Sequence, residues 1–241
     1  MKPQVNAAQL LALKRISTPT LSNALEQYPG HRAEGGFNLD ETRDFMPHMG
    51  PMVGYAVTAT YCASRRAAKI KDRSVDLLEL IERSPRPSIV VIRDADSPRR
   101  IVGAPWGECF SNICLALGAV GTITDGAIRD YNEMLNCGFH ALARRLCVSH
   151  SCGRMIEVGK PVKVFGTTVR TGEILHADQH GFLLLPPAAI ATLADTATHL
   201  DRCEFEHIIT PARSGGYSTK AFRAAAAAFG KAVNGRKGEW G

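Results

Sequence analysis

The sequence predicts an α/β protein that contains both parallel and antiparallel strands. The middle of the chain alternates short apolar segments with amphipathic ones, which is typical of a parallel βαβ unit. The second half contains short strand-like segments separated by glycine and proline, which indicates an antiparallel or mixed sheet. Of the 241 residues, 45% are hydrophobic and 22% are charged. These values exclude disordered, collagen-like and disulfide-scaffold proteins.

Two helices are predicted at the start of the chain. Ala7 to Lys14 is apolar and rich in good helix formers. A second helix is predicted to open at Ser17, a hydroxyl N-cap that is followed by Pro19, and to end near Gln27. Residues 29 to 51 are rich in Gly, Pro, His and charge, and they predict a long loop. A loop of that length in a compact domain is often functional.

The middle segment supplies the predicted parallel strands. Ser88 to Ile92 is short and fully apolar, which favours a strand that is buried on both faces. Met52 to Tyr61 is rich in β-branched residues and predicts another strand. The further elements predicted here are a helix at 65–83, a strand at 100–103, a helix at 107–117, a strand at 120–124 and a helical turn at 126–135.

The second half predicts a more β-rich arrangement that ends in helices. Strands are expected at 146–149, 162–170, 174–176 and 182–185, and helices at 187–200 and 218–233. No linker is evident, so we expect one domain over residues 1–210, with the N-terminal helices, and a basic C-terminal helix and tail over 211–241.

The excess of positive charge lies mostly in that C-terminal segment. The formal net charge is +6, from 29 basic and 23 acidic residues. Residues 211–241 hold six of the basic residues and one of the acidic ones, so they contribute +5 of the total. The basic balance therefore predicts neither nucleic-acid binding nor a general attraction for acidic substrates. With no apolar run long enough to span a bilayer, we expect no membrane partner.

The first turn of the helix at 107–117 and the end of the strand at 120–124 are predicted to meet at one sheet edge, because both belong to a parallel βαβ unit. Unpaired backbone N–H groups at Gly107, Glu108, Cys109 and Phe110 then offer an anion site. Arg129 adds a planar fork that suits a carboxylate. Asp130 and Glu108 add oxygens that suit Mg²⁺. The alternative is an Arg–Asp pair in a turn and a glutamate that complements the helix dipole.

Other candidates carry less specific patterns. His176, Asp178 and His180 alternate, so they would share a face of a strand, either as a metal site or as a polar strand end. Asp94 and Asp96 follow a predicted strand at the same sheet edge as Arg129 and could contact the site residues without touching the ligand. Seven cysteines without C-x-x-C spacing indicate reduced, mostly buried thiols of a cytoplasmic protein, with no spacing that favours zinc.

Several segments together carry a resemblance to a known family. Gly107-Glu108, a spacer of 20 residues and Arg129-Asp130 within TDGAIRD resemble the family that unites RraA-type regulators of ribonuclease E with class II 4-hydroxy-4-methyl-2-oxoglutarate (HMG) aldolases. TPTLSNAL, GPMVGYAVTAT and the segment from Gly159 to Pro186 resemble other family motifs in the family's order. The resemblance covers roughly residues 15 to 200.

This resemblance implies a three-layer β/β/α swivelling domain with mixed parallel and antiparallel sheets, assembled as a trimer or a hexamer of two trimers. It implies that Asp130 holds Mg²⁺ or Mn²⁺ partly through waters, and that Arg129 binds the carboxylate and keto oxygen of pyruvate. The amides from Gly107 to Phe110 would hold the carboxylate. Glu108 would position metal-bound waters or assist proton transfer. The catalytic residues would then be Arg129, Asp130 and Glu108.

The implied reaction is retro-aldol cleavage of a 4-hydroxy-2-oxo acid to pyruvate, with oxaloacetate decarboxylation as a related activity. The alternative is a non-catalytic RraA-type regulator that binds a ribonuclease or another protein. Regulator-type members carry glycine where this chain has Glu108, which favours the enzyme. The chain departs from the family pattern at Asn23 and Tyr55 and in the histidines around Asp178, and these differences concern substrate specificity.

Overall fold

The computed structural model describes residues 5–31 and 34–235, and it groups them into two compact units. The sheet unit comprises Gly35–Leu185. The helical unit combines the N-terminal segment up to Glu34 with the segment from Pro186 onward. The sequence-based boundary at residue 210 falls inside a helical stretch of the second unit, and the expected domain division stays a prediction.

The described residues of the sheet unit form an eight-stranded mixed sheet in the order β1-β5-β4-β3-β2-β9-β10, with β6 also paired to β2. Strands β2 to β5 are parallel to one another, and β1, β6, β9 and β10 are antiparallel to their neighbours. A separate antiparallel hairpin contains β7 and β8. The strands are β1 Arg43–Asp44, β2 Met52–Cys62, β3 Ser88–Asp94, β4 Ala119–Ile128, β5 His140–Leu146, β6 Arg154–Val158, β7 Val162–Val164, β8 Thr167–Val169, β9 Ile174–Asp178 and β10 Gly181–Leu185.

Three layers follow from the alternation of side chains along the strands. Val90 and Ile92 of β3 face the helices of the sheet unit and pack in one buried cluster with residues of those helices. Ile89 and Val91 face the other way and pack against the β7–β8 hairpin. The helices are α3 Ser74–Arg83, α4 Glu108–Leu117 and α5 Tyr131–Cys137. The unit is therefore a helix layer, a central sheet and a small β layer, as the resemblance implied.

The helical unit begins with two helices that are both capped by side chains, of which the cap at Ser17 was predicted from the sequence. Asn6 caps α1 with a full capping box, in which its side chain and that of Gln9 accept each other's backbone N–H. Ser17 caps α2 by accepting the Thr20 N–H. The helices of this unit are α1 Ala7–Leu13, α2 Thr18–Leu25, α6 Leu193–Glu204, a π-helical turn at Phe205–Ile209, α7 Thr210–Arg213 and α8 Thr219–Asn234.

Several predicted elements differ from the structure. The helix predicted at 65–83 is a 3-10 helix at Arg65–Lys69 followed by α3, with residues 70–73 between them. Residues 100–103 form no strand, and the strand predicted at 146–149 lies earlier, at β5. β4 continues through residues 126–128, where a helical turn was expected. The later parts of the two predicted helical segments are confirmed by α3 and by α5, which begins at Tyr131. The strand bounds were wrong because they depend on pairing partners distant in sequence.

Two further elements escaped the sequence analysis, namely β1 within the predicted loop and β6. The helix predicted at 187–200 begins only at Leu193 and continues into the π-helical turn. The predicted helix at 218–233 is confirmed as α8, while residues 236–241 of the predicted tail lie outside the described residues. No helix within the described ranges has the length and apolar character needed to cross a membrane.

Candidate functional site

The first turn of α4 and the residues that follow β4 lie together at the carboxyl edge of the parallel strands. Trp106 forms a parallel bridge with Ile128, and the Arg129 N–H donates to the Trp106 carbonyl at 3.0 Å. These backbone contacts place Gly107 and Glu108 beside Arg129 and Asp130. The convergence predicted from the βαβ pattern is therefore present, although 20 residues separate Glu108 from Arg129.

The carboxylate of Asp130 joins the two segments. Its Oδ2 accepts the Glu108 N–H at 3.1 Å and lies 3.7 Å from the Arg129 Nε. The Arg129 and Asp130 side chains are 36% and 34% exposed, so both groups remain accessible from solvent. Asp130 adopts a left-handed backbone conformation, with φ at 50° and ψ at 48°. Among residues with a side chain, asparagine and aspartate tolerate that region best.

Gly107 leaves the space that this arrangement needs. A Cβ at this position would collide with the Asp130 Oδ2 and would approach the Arg129 Nε to 3.2 Å. Gly107 itself is extended, with φ at −162°, so its backbone would suit any residue. The constraint on this position is therefore the closeness of the Asp130 and Arg129 side chains.

The first turn of α4 offers fewer open amides than the sequence predicted. The Glu108 N–H is already engaged by Asp130, which leaves the Gly107, Cys109 and Phe110 N–H groups without an acceptor in the described part of the chain. The Glu108 and Cys109 side chains are exposed. Phe110 is half-buried and packs against Trp106, with ring centroids 5.1 Å apart. An anion would therefore meet the free amides beside Glu108 and the Arg129 guanidinium.

The donor set fits a hydrated divalent cation better than a closed protein cage. Asp130 Oδ1 has no hydrogen-bond partner among the described residues, and the Glu108 carboxylate is exposed on the adjoining turn. No cluster of three or more His, Cys, Asp or Glu side chains that could hold a metal occurs within residues 5–31 and 34–235. One carboxylate oxygen with water-mediated help matches Mg²⁺, which dehydrates reluctantly and keeps several waters.

Two neighbouring acids lie on β3 and β4: Asp94 is the last residue of β3 and is buried, and Asp125 lies within β4 and is half-buried. The Asp94 N–H donates to the Asp125 Oδ1 at 2.7 Å, and the Asp94 Oδ1 accepts the Asp96 N–H at 2.8 Å. Burial raises the pKa of both Asp94 and Asp125 to about 6. Asp96 differs, because the backbone N–H groups of residues 63 and 64 hold its pKa below the usual value despite partial burial. Asp94 is therefore a buried acid that binds a proton readily, and Asp96 is an anchored carboxylate. Their support of the candidate site stays a prediction.

From the raised pKa values of Asp94 and Asp125 we predict that the free energy of unfolding decreases as the pH rises from about 4 to about 6. A carboxyl whose pKa is raised in the folded state binds protons more tightly there than in the unfolded chain, so its stabilisation is lost as the pH passes the folded pKa. A pKa shift from 3.8 to about 6 corresponds to about 3 kcal/mol for each acid. We expect urea unfolding to show a decrease of that order across the window. Asp94→Asn should reduce this slope, and the exposed Asp40→Asn should not; equal slopes in all three proteins would contradict the prediction.

The alternating histidines do not form a cluster. His176 and Asp178 lie on β9 and are buried, whereas His180 lies in the turn beyond the strand. The His180 Nδ1 lies 3.1 Å from the Asp178 Oδ1, and the Asp178 Oδ1 also accepts the His180 N–H. The alternative of a polar strand end agrees with this arrangement. Of the seven thiols, Cys62, Cys114 and Cys203 are buried, and Cys109 and Cys152 are exposed.

Sequence comparison identifies relatives of this chain. A family model described as RraA-like, Aldolase/RraA, matches residues 18–184. Protein DlpA of Legionella pneumophila is 25% identical over 108 residues, which are 44% of this chain but 17% of that protein, so the chain spans about a sixth of its length. The 4-hydroxy-4-methyl-2-oxoglutarate aldolase of Thermus thermophilus is 28% identical over 140 residues, which are 56% of this chain and 83% of that enzyme.

Structural comparison supports the same fold. An uncharacterized protein from Pseudomonas syringae superposes with a TM-score of 0.70 at 22% identity, covering 93% of this chain and 97% of that one. RraAS2 of Streptomyces coelicolor, described as an unusual member of the RNase ES inhibitor RraA protein family, superposes with a TM-score of 0.61 at 19% identity, covering 85% and 98% of the two chains. At these identities, the likeness concerns the fold alone.

Proposed function

The chain belongs to the RraA-like family, and from this premise we propose that it is a divalent-metal-dependent aldolase that cleaves a 4-hydroxy-2-oxo acid to pyruvate. A substrate such as 4-hydroxy-4-methyl-2-oxoglutarate would meet this description, and oxaloacetate decarboxylation would be a related activity. The observation that carries the proposal is the Asp130 carboxylate, which lies beside the Arg129 guanidinium and receives the first amide of α4.

The proposed chemistry uses groups that are already side by side. Both reactions develop negative charge on the keto oxygen of the pyruvate unit. The Arg129 fork would bind the carboxylate and that oxygen, while the Cys109 and Phe110 amides would hold the carboxylate. Asp130 would be the protein ligand of Mg²⁺ or Mn²⁺, and Glu108 would orient its waters or help move a proton. When bound, such an ion would supply Lewis-acid stabilisation of the developing charge.

We propose a homo-oligomer, either a trimer or a hexamer of two trimers, that works in the cytoplasm without a nucleic-acid or membrane partner. The exposed thiols Cys109 and Cys152 favour a reducing compartment. The proposed substrate is a small 2-oxo acid, whose carboxylate matches the free amides of the α4 start and the Arg129 guanidinium.

The direct test is pyruvate release from 4-hydroxy-4-methyl-2-oxoglutarate and from oxaloacetate, followed in a coupled assay. We expect turnover with added Mg²⁺ or Mn²⁺, its loss in EDTA and its recovery when the metal is restored in excess. Activity that persists after complete chelation would contradict the metal-dependent mechanism. Absence of turnover with any 4-hydroxy-2-oxo acid or with oxaloacetate would favour the alternative of a protein-binding regulator.

A further inference from the structure

The loop after β5 connects the two halves of the candidate site through its backbone. This loop, Cys147–Gly153, is largely exposed, and Val148 is 95% exposed. The Cys147 N–H donates to the Ile128 carbonyl at 2.9 Å, immediately before Arg129. The Ala104 N–H donates to the Ser149 carbonyl at 2.9 Å, close to the start of α4. The loop is therefore hydrogen-bonded both to the end of β4, which precedes Arg129, and to the segment that leads into α4.

Tyr61 secures this loop from the buried side. Its ring is 3% exposed at the end of β2, and its hydroxyl donates to the His150 carbonyl at 2.9 Å. A Cβ on Gly153 would collide with the Tyr61 hydroxyl, so the ring and the loop are in close contact. The Cys152 N–H adds a second attachment to the same strand end by donating to the Ala63 carbonyl at 3.2 Å.

The electrostatic surroundings keep the Tyr61 hydroxyl protonated. Burial raises its pKa far above the ordinary tyrosine value, and the nearby Asp94 carboxyl raises it further. The Arg129 guanidinium acts on the same hydroxyl in the opposite direction, which shows that Tyr61 lies within electrostatic reach of the candidate site. A group that stays protonated remains a hydrogen-bond donor to the His150 carbonyl throughout the physiological range.

We propose that Tyr61 is a positioning residue for the candidate site, which acts by holding the 147–153 loop against the segments that carry Arg129 and the start of α4. The inference rests on the proposed lyase function, because it assigns Tyr61 a role in that reaction. Catalysis depends on placement of the reacting groups, and a displacement of about 1 Å can lower a rate by about a hundredfold. Loss of the Tyr61 hydroxyl removes one of several hydrogen bonds that hold the loop, so we expect a decrease in rate smaller than a hundredfold.

The test is Tyr61→Phe compared with Tyr28→Phe. Each change removes one tyrosine hydroxyl, and the Tyr28 hydroxyl bonds Thr192 and Thr196 within the helical unit. We expect Tyr61→Phe to lower kcat about tenfold with little change in KM, and Tyr28→Phe to leave both constants unchanged. Equal kcat values for the two variants in a protein that turns over substrate would overturn the proposal.

Amide hydrogen exchange gives a readout that needs no turnover. In Tyr61→Phe, the Cys147, Ala104 and Arg129 N–H groups should exchange faster than in the wild type, while in Tyr28→Phe they should not. Gly153→Ala should produce the same pattern by displacing the Tyr61 ring. Gly230→Ala is its control, because a Cβ added at Gly230 would meet no atom within 4 Å. If the wild type proves inactive, the lyase proposal fails and exchange alone decides; unchanged exchange in Tyr61→Phe would overturn the role of Tyr61.

Discussion

Arg129→Ala is expected to lower kcat/KM for pyruvate release by about 10²- to 10³-fold, which is the effect of removing one donor that stabilises a developing oxyanion. The guanidinium is 36% exposed and its Nε lies 3.7 Å from the Asp130 carboxylate, so its removal leaves no cavity in the core. The free energy of unfolding should therefore change little. Steady-state assays with saturating Mg²⁺ and urea unfolding on the same preparations measure both quantities.

Two further variants separate charge, shape and general surface effects at this position. Arg129→Lys keeps the charge but loses the planar fork, so we expect it to recover only part of the lost activity. Arg83→Ala removes an exposed arginine from the last turn of α3 and should behave as the wild type. If Arg129→Ala retained wild-type turnover, the proposed site would be wrong, whatever activity the protein has.

Gly107→Ala is expected to abolish most of the activity while the protein remains folded. The new Cβ would collide with the Asp130 Oδ2, an atom at the end of a side chain that can rotate away. That rotation breaks the bond from the Glu108 N–H and moves the proposed metal ligand, for which a loss of about a hundredfold is reasonable. The extended backbone of Gly107 accommodates alanine without strain.

The matched control for Gly107→Ala is Gly230→Ala in α8, where an added methyl group meets no atom within 4 Å. This control should keep full activity and gain a little stability, since alanine favours a helix more than glycine does. Thermal unfolding and pyruvate release on the three proteins measure the two effects. A fully active Gly107→Ala enzyme would show that the position of the Asp130 carboxylate does not matter for turnover.

The sequence predicted the meeting of the two segments at the candidate site more accurately than the bounds of the strands around it. The βαβ pattern places the start of a helix and the end of the following strand at one edge, and that relation alone predicted the meeting of Glu108 with Asp130. Side-chain caps such as Ser17 are equally local and were read correctly. β6 was missed because it is a strand only through its pairing with β2, about a hundred residues away in sequence.

The roles of Tyr61 and of the 147–153 loop had no local signal at all. The loop acts through backbone N–H and carbonyl groups, which every residue carries, so its sequence gives no indication of its contacts. In the sequence, Tyr61 is only the last residue of a predicted strand, and no motif marks it. Likewise, the hydrogen bond from the Glu108 N–H to the Asp130 carboxylate depends on a backbone conformation of Asp130 that the motif does not specify.

The left-handed backbone of Asp130 has a consequence for how this protein could diverge. Asparagine tolerates that conformation as readily as aspartate, and its amide oxygen could still accept the Glu108 N–H. A single nucleotide substitution could therefore remove the negative charge and leave the scaffold intact. A substitution at this position can therefore change the charge of the candidate site without changing its shape, so a duplicated copy could keep the architecture after losing the proposed metal ligand.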